Sequence, residues 1–310
     1  MDSVSQIVLG AAACHAIAGK PLGRKALILG AALGTLPDLD VLINYGDAVS
    51  NFTQHRGFSH SLFTLSLIAP IISFLLLRFD AFKNTITFKR LLLAVWLALV
   101  THPILDSFTV YGTQLFWPLA RNPESWASIF IVDPLYTIPL LCTGLWALFK
   151  KPKLASLSIL GLGISTAYLG WSLYAKTQVI QHIQRELTRQ GISYQALKVT
   201  PERYNTLNWR GIVMDEKVYY ETRASVSRPD TPLHFNGYEH NKQWLNNLNN
   251  QAAAYRLAWF TSGFYKISDR QDMIVISDLR MGSDGFSIFE FAVADRNDLN
   301  KPFWPRNAPR

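Results

Sequence analysis

Four apolar stretches constrain this chain of 310 residues more than any other feature. They run over 62–77, 91–108, 129–149 and 154–175, with 16, 18, 21 and 22 residues. A helix that crosses a bilayer needs about 20 apolar residues. Two shorter apolar pieces, 4–18 and 26–36, suit a re-entrant or interfacial hairpin that turns at 20–25. Charge divides the chain at the same place. The first 176 residues carry 13 Lys/Arg and 8 Asp/Glu, about 12% of that segment, and the last 134 carry 17 and 14, about 23%. Water-soluble domains carry about 25%. The expectation is therefore an α-helical polytopic membrane domain over 1–176, followed by a small α+β extramembrane domain over 177–310. Disorder, a disulfide scaffold and a purely soluble enzyme do not fit. The net charge of +8 is spread thinly over both parts, so no nucleic acid partner is expected.

Loop charge sets an orientation. Arg78, Lys83, Lys89 and Arg90 lie in one connecting loop, and Lys150, Lys151 and Lys153 in another. The loops 37–61 and 109–128 carry only Arg56 and Arg121. Cytoplasmic loops collect Lys and Arg, which puts the basic loops inside. Loops 37–61 and 109–128 and everything after Ala175 then lie outside, in the periplasm if the chain belongs to a bacterial inner membrane. The start, MDSVSQ, has no basic residue and does not read as a cleaved signal peptide. Cys14 and Cys142 fall in apolar stretches without CxxC spacing and read as buried, unpaired thiols.

On that outer face the ionisable residues gather. Asp38 and Asp40 follow the second apolar piece, and His55, Arg56 and His60 lead into the first long stretch. His102 and Asp106 close the second stretch, and Asp133-Pro134 lies near the start of the third. Ionisable groups at membrane segments are costly and point to function. His102 and Asp106 are four apart and share a helix face. Asp38 and Asp40 need not diverge on extended backbone, so one can bridge two ions while the other binds terminally. Ser59 reads as a helix N-cap; as a nucleophile beside His60 it lacks a visible third partner. Each residue alone is an ordinary cap, loop acid or interfacial imidazole, but seven on one face ask for a joint explanation. The expected ligands are His55, His60, His102, Asp38, Asp40 and Asp106, with Asp133 and His15 as outer candidates. His15 is the awkward one, because a full crossing of the hairpin leaves it about 12 Å from Asp38 in depth.

Imidazoles with carboxylates suit zinc or manganese, and also iron, as one or two ions. Such a divalent metal activates water, and two would clamp a phosphoester. Arg56 has the planar fork to grip phosphate, and Tyr111 and Thr113 are further substrate contacts. A hydrolase with a phosphoester or lipid-like substrate at the outer membrane face is the leading reading. The alternatives are a non-catalytic metal or proton sensor or transporter, and an interaction protein with a structural metal. Membrane lipids are expected partners in every case.

At these residues the chain resembles the LexA-binding, inner-membrane-associated hydrolase family, also described as membrane-bound metal-dependent hydrolases. The matching elements are His15, Pro-Asp-Leu-Asp at 37–40, His-Arg-Gly-Phe-Ser-His-Ser at 55–61, His-Pro-Ile-Leu-Asp at 102–106, Tyr-Gly-Thr at 111–113 and Asp133-Pro134. They cover roughly the first 140 residues in order, and the His-Arg-Gly-x-x-His-Ser run is the specific signal. The resemblance implies a helical membrane protein with a metal-dependent hydrolase site. A more distant similarity to zinc-dependent phospholipase C implies phosphoester substrates.

Beyond Lys176 the pattern predicts a polar helix over 177–190, leaving the membrane, and a second helix over 241–258. Strands are expected at 217–226, 257–267, 273–279 and 286–294, the last two joined by a turn at Gly282–Gly285, in a mostly antiparallel sheet. His182, His234 and His240 read as surface residues. Trp259, Phe260, Phe264 and Tyr265 read as core aromatics, and Asp278, Arg280 and Asp284 as turn and ion-pair residues. The domain is expected to cover the outer-face site and restrict its substrates.

Overall fold

The computed structural model describes residues 1–119, 121–248, 251–299 and 303–309. The helical domain begins with a tight antiparallel hairpin of α1 (Ser3–Leu22) and α2 (Arg24–Thr35). The chain reverses at Gly23, whose φ of 55° favours glycine. A Cβ on Gly10 would overlap the carbonyl oxygen of Gly30, and one on Gly34 would overlap that of Gln6. Without side chains at these positions the two backbones touch, as small residues allow between membrane helices.

A 3₁₀ turn, Pro37–Leu42, and α3 (Ala48–Gln54) follow, then a second 3₁₀ turn, Phe58–His60, and α4 (Leu62–Leu76). α4 does not extend back through Gly57. Ser61 caps α4 by accepting from the Thr64 amide, and the chain from Ala48 to His60 meets α4 at 51°. The cap is therefore Ser61 rather than Ser59. After the short α5 (Asp80–Lys83) come α6 (Phe88–Ser107), α7 (Pro134–Phe149) and α8 (Ala155–Gln190).

Among the described residues α6 and α8 are long and apolar enough to cross a membrane, and the bent pair ending in α4 makes a third if taken as one span. Residues 129–133 of the expected third span are not helical, so α7 has 16 residues and a length of about 24 Å. The expected membrane helix and polar helix on either side of Lys176 are one continuous α8 of 36 residues, about 54 Å long. Of the two thiols, Cys14 is buried and Cys142 is exposed on the helical surface, which corrects the expectation for the second.

Basic loops gather at one end of the helices. Arg24 donates to the carbonyl of Leu148, Arg90 to that of Ile17, and Gly23 lies against Pro152. Residues 37–61, 109–119 and 121–128 occupy the opposite end, together with the second domain.

That domain holds two four-stranded antiparallel sheets. The first runs β1 (Ala196–Pro201), β2 (Asn208–Met214), β3 (Val218–Ser225), β4 (Asn236–Glu239) in order. The second contains β5 (Tyr265–Arg270), β6 (Met273–Asp278), β9 (Glu290–Asp295) and β10 (Arg306–Asn307), in the order β10-β9-β6-β5. β7 (Gly282–Ser283) and β8 (Phe286–Ser287) form the expected hairpin. The start of the expected strand 257–267 belongs instead to α9 (Gln251–Phe260). Its buried positions Ala254, Leu257 and Phe260 recur every three residues, a helical spacing.

Two cores tie the domain to the helices. Val179, Ile183 and Leu187 on the far half of α8 pack on Val199, Trp209 and Val213 of the first sheet. Phe52 on α3 enters the second sheet's core, its ring 4.9–5.1 Å from those of Tyr111, Phe260, Phe289 and Phe291. The four C-terminal aromatics read from the sequence divide accordingly, with Phe260, Phe264 and Tyr265 buried and Trp259 half-buried.

Candidate metal centre

Four chain segments end at one level of the bundle: the start of α1, the exit of α2, the turn before α4 and the last turn of α6. His102 and Asp106 share a face of α6, as their spacing requires, although Pro103 lies between them. Phe58–His60 brings His60 against them, and Pro37–Leu42 brings Asp38.

Asp38, His60, His102 and Asp106 each offer one donor atom, all within 4.8 Å of one another. His60 Nε2 lies 3.1 Å from His102 Nε2, 3.3 Å from Asp38 Oδ1 and 3.3 Å from Asp106 Oδ2. His102 Nε2 lies 3.3 Å from Asp38 Oδ1 and 3.6 Å from Asp106 Oδ2. A tetrahedral ion bound at about 2.0–2.1 Å holds its donors about 3.3–3.4 Å apart. The five separations match that edge.

Hydrogen bonds around the cluster aim its lone pairs inward. His102 Nδ1 donates to the Gly34 carbonyl at 2.6 Å, leaving Nε2 as an acceptor. Ser59 Oγ donates to Asp40 Oδ2 at 2.7 Å, so His60 Nδ1, 2.9 Å away, donates to Ser59, and its Nε2 also faces inward as an acceptor. Two acceptor nitrogens at 3.1 Å repel unless a cation lies between them. Asp106 Oδ1 accepts from Gln6 Nε2 at 3.0 Å and from the Met1 amino group, whereas buried Oδ2 has no hydrogen-bond donor and points into the cluster. The donor set fits a divalent ion.

Asp40 occupies a different position from the one expected. It accepts from His55 Nδ1 at 2.8 Å, from the Arg56 amide at 3.0 Å and from Ser59, which places it behind His60. Through Ser59 it stands where an outer carboxylate would orient a histidine ligand. Burial alone would raise its carboxyl, but the hydrogen bonds from His55 and Ser59 hold it below the usual range. Asp40 thus stays ionised.

Arg56, expected to reach for substrate, is 4% exposed. Its Nε lies 3.2 Å from Asp106 Oδ2, its Nη1 donates to Thr109, and its guanidinium lies over the Tyr111 ring at 5.0 Å. Tyr111 itself donates to the Phe52 carbonyl, and Thr113 is buried in a backbone bridge with Glu124. Two outer candidates lie elsewhere. His15 is nine residues along α1 from Gln6, about 13 Å, with its ring nitrogens on Ser158 Oγ and the Pro152 carbonyl. Asp133 caps α7 and accepts from Tyr168.

His182 and His240 are buried rather than on the surface, bonded to the carbonyls of Thr231 and Asp215. Asp278 and Arg280 form the expected ion pair, fully buried, and Asp284 pairs with Arg223 at the surface. Gln6 and Gly34 lie among apolar neighbours that do not mark them out, and Ser59 could be singled out only by its place beside His60.

A cavity of about 230 Å³ opens beside the cluster, lined by Asp40, Val41, Ile43, Asn44, Tyr45 and His55 among others. Asp38 keeps 29% of its side chain exposed, and His55 keeps 25%.

The profile of the family described as YdjM inner membrane protein matches residues 1–179. Over 170 residues the chain is 27% identical to the uncharacterized protein YfhP of Bacillus subtilis (strain 168), covering 51% of this chain and 50% of that protein. Over 106 residues it is 33% identical to the inner membrane protein YbcI of Escherichia coli (strain K12), covering 33% of this chain and 57% of that protein. The chain thus spans about half the length of the curated relatives it matches. No solved structure matches. All four clustered residues fall inside the matched region, which is more than half of the sequence, and the chain belongs to the YdjM inner membrane protein family.

Proposed function

We propose that this protein is a membrane-bound metal-dependent hydrolase, acting on a phosphoester or lipid-like substrate at the periplasmic face of the inner membrane. One observation carries the reading: two imidazoles and two carboxylates gather their donor atoms within 4.8 Å of one another, five of the six separations near a tetrahedral edge, and the carboxylate of Asp38 is partly open to solvent. A bound divalent ion, with zinc the best match to this donor set, would supply an acidified water and charge to stabilise an oxyanion. Around it the chain supplies the remaining groups. Asp40 fixes the ring of His55 through Nδ1, leaving Nε2 free to take a proton beside the cavity. Arg56 adds a buried positive charge next to Asp106. The resemblance to the LexA-binding hydrolases supports the same chemistry, and the loop charges support the periplasmic placement.

A second reading rests on the same four donors. Four protein ligands also describe a closed structural site, in which the ion would pin the ends of α2, α4 and α6. Hydrolysis separates the two. The full chain in detergent, loaded with zinc, should cleave bis(4-nitrophenyl) phosphate, and His60→Ala/His102→Ala should abolish the reaction. A folded, zinc-loaded protein no faster than the double variant would leave the structural reading in place.

A further inference from the structure

The 3₁₀ turn that carries Asp38 and Asp40 presents an apolar edge on its other side. Val41 is 70% and Leu42 79% exposed, and Leu39 and Ile43 are exposed as well. The turn packs beside Phe58–His60 and the end of α6, at the boundary of the helical domain. Phe58 is exposed there with Trp117, ring to ring at 6.3 Å, as aromatic side chains are at membrane interfaces. Phe63 and Leu67 continue the apolar surface down α4. The extramembrane domain docks through Phe52 on α3 and through the far half of α8.

The cavity beside Asp40 and His55 has a mixed lining. Val41, Leu42 and Ile43 make it apolar in part, and Asp40, Asn44, Asn51 and His55 polar in part, with Tyr45 also lining it. The Tyr45 hydroxyl is buried and has no hydrogen-bond partner. At about 230 Å³ the cavity is smaller than the range of roughly 300–1,000 Å³ that encloses whole small molecules. It suits the polar end of a molecule whose apolar remainder stays outside.

We propose that Leu39, Val41, Leu42 and Ile43 form a lip embedded in the lipid leaflet on the side of the extramembrane domain, and that a phospholipid head group enters the cavity laterally across it. The phosphoester is thereby brought beside Asp40 and His55 while its acyl chains remain in the bilayer. The substrate class rests on the hydrolase reading; the route of entry does not.

The test uses the full chain in phosphatidylglycerol vesicles, with the photoreactive residue p-benzoylphenylalanine replacing Tyr45, or replacing Leu67 on the lipid face of α4 as a control. Irradiation should add the mass of one phospholipid at both positions. An adduct at position 67 alone, from protein with wild-type thermal stability, overturns the proposal. Should the position-45 variant fail to fold, a nitroxide on Leu42→Cys in a Cys142→Ser background decides. More frequent collisions with oxygen than with a water-soluble nickel chelate support the embedded lip, and the reverse overturns it. Neither measurement needs turnover, so a protein that captures lipid but cleaves no phosphoester defeats the hydrolase reading while leaving the lateral route standing.

Discussion

His102 donates its Nδ1 proton to the carbonyl oxygen of Gly34 across 2.6 Å, tying a cluster imidazole on α6 to the last turn of α2. Gly34 can approach because nothing projects from its Cα toward α1, where a Cβ would meet the Gln6 carbonyl. Helix packing and ligand orientation therefore share one residue.

Gly34→Ala should part α1 from α2 and disturb both second contacts of the cluster, Gln6 on Asp106 and Gly34 on His102. Overpacking of this kind costs about 1–3 kcal/mol. Thermal unfolding with and without zinc should show a lower midpoint and a smaller stabilisation by the ion. An unchanged zinc-induced shift would mean that the hydrogen bond does not support the ligand.

Asp40→Asn tests the position of Asp40 behind His60. Loss of an outer carboxylate costs about 10–100-fold in metal affinity, whereas loss of a direct ligand pair should abolish tight binding. Chelator competition should therefore rank wild type, Asp40→Asn and His60→Ala/His102→Ala in that order. Equal losses in the two variants would make Asp40 a ligand.

Phe52→Ala removes the aromatic side chain that joins α3 to the second sheet. Emptying such a site costs about 3–5 kcal/mol. Three residues later the chain reaches His55 and Arg56, so hydrogen exchange should rise in residues 52–60 as well as around Phe260 and Phe291. Faster exchange confined to the second sheet would show that the domain does not hold the site loop.

Lys198 on β1 predicts a pH effect. Its ammonium reaches the Ser125 carbonyl at 3.5 Å and lies 5.9 Å from the Phe264 ring. Burial first, then the charges of Arg280 and Lys176, lower its pKa from 10.5 to about 7, with Asp278 acting in the opposite sense. Between those values the unfolded chain binds more protons than the folded one, so this residue makes stability rise with pH across the window. Relative to wild type, Lys198→Met should gain most below about pH 7 and lose that advantage as pH rises toward 10.5. Thermal unfolding across that range checks the sign.

The sequence made the site's neighbourhood readable, because His102 and Asp106 sit at helical spacing and charged residues are scarce in apolar segments. It did not separate Asp38 from Asp40. A 3₁₀ turn has about three residues per turn, so residues two apart point in different directions; Asp38 meets the imidazoles and Asp40 turns to His55. Read as extended or turn backbone, the pair had no such divergence. Gln6 and Gly34 gave no signal, since their roles depend on a helix pair that meets only in three dimensions. Phe52 carried no mark within the stretch read as a loop over 37–61, yet it joins two domains. The strand expected over 257–267 begins only at Tyr265, because α9 packs Ala254, Leu257 and Phe260 on one side.

Zinc-edge X-ray absorption on the full chain in detergent tests the central claim most directly. The account predicts one tightly held ion per chain, with two imidazole nitrogens and two carboxylate oxygens at about 2.0–2.1 Å, and its loss in His60→Ala/His102→Ala. An ion retained unchanged by that double variant, or a wild-type spectrum without imidazole ligands, would contradict it.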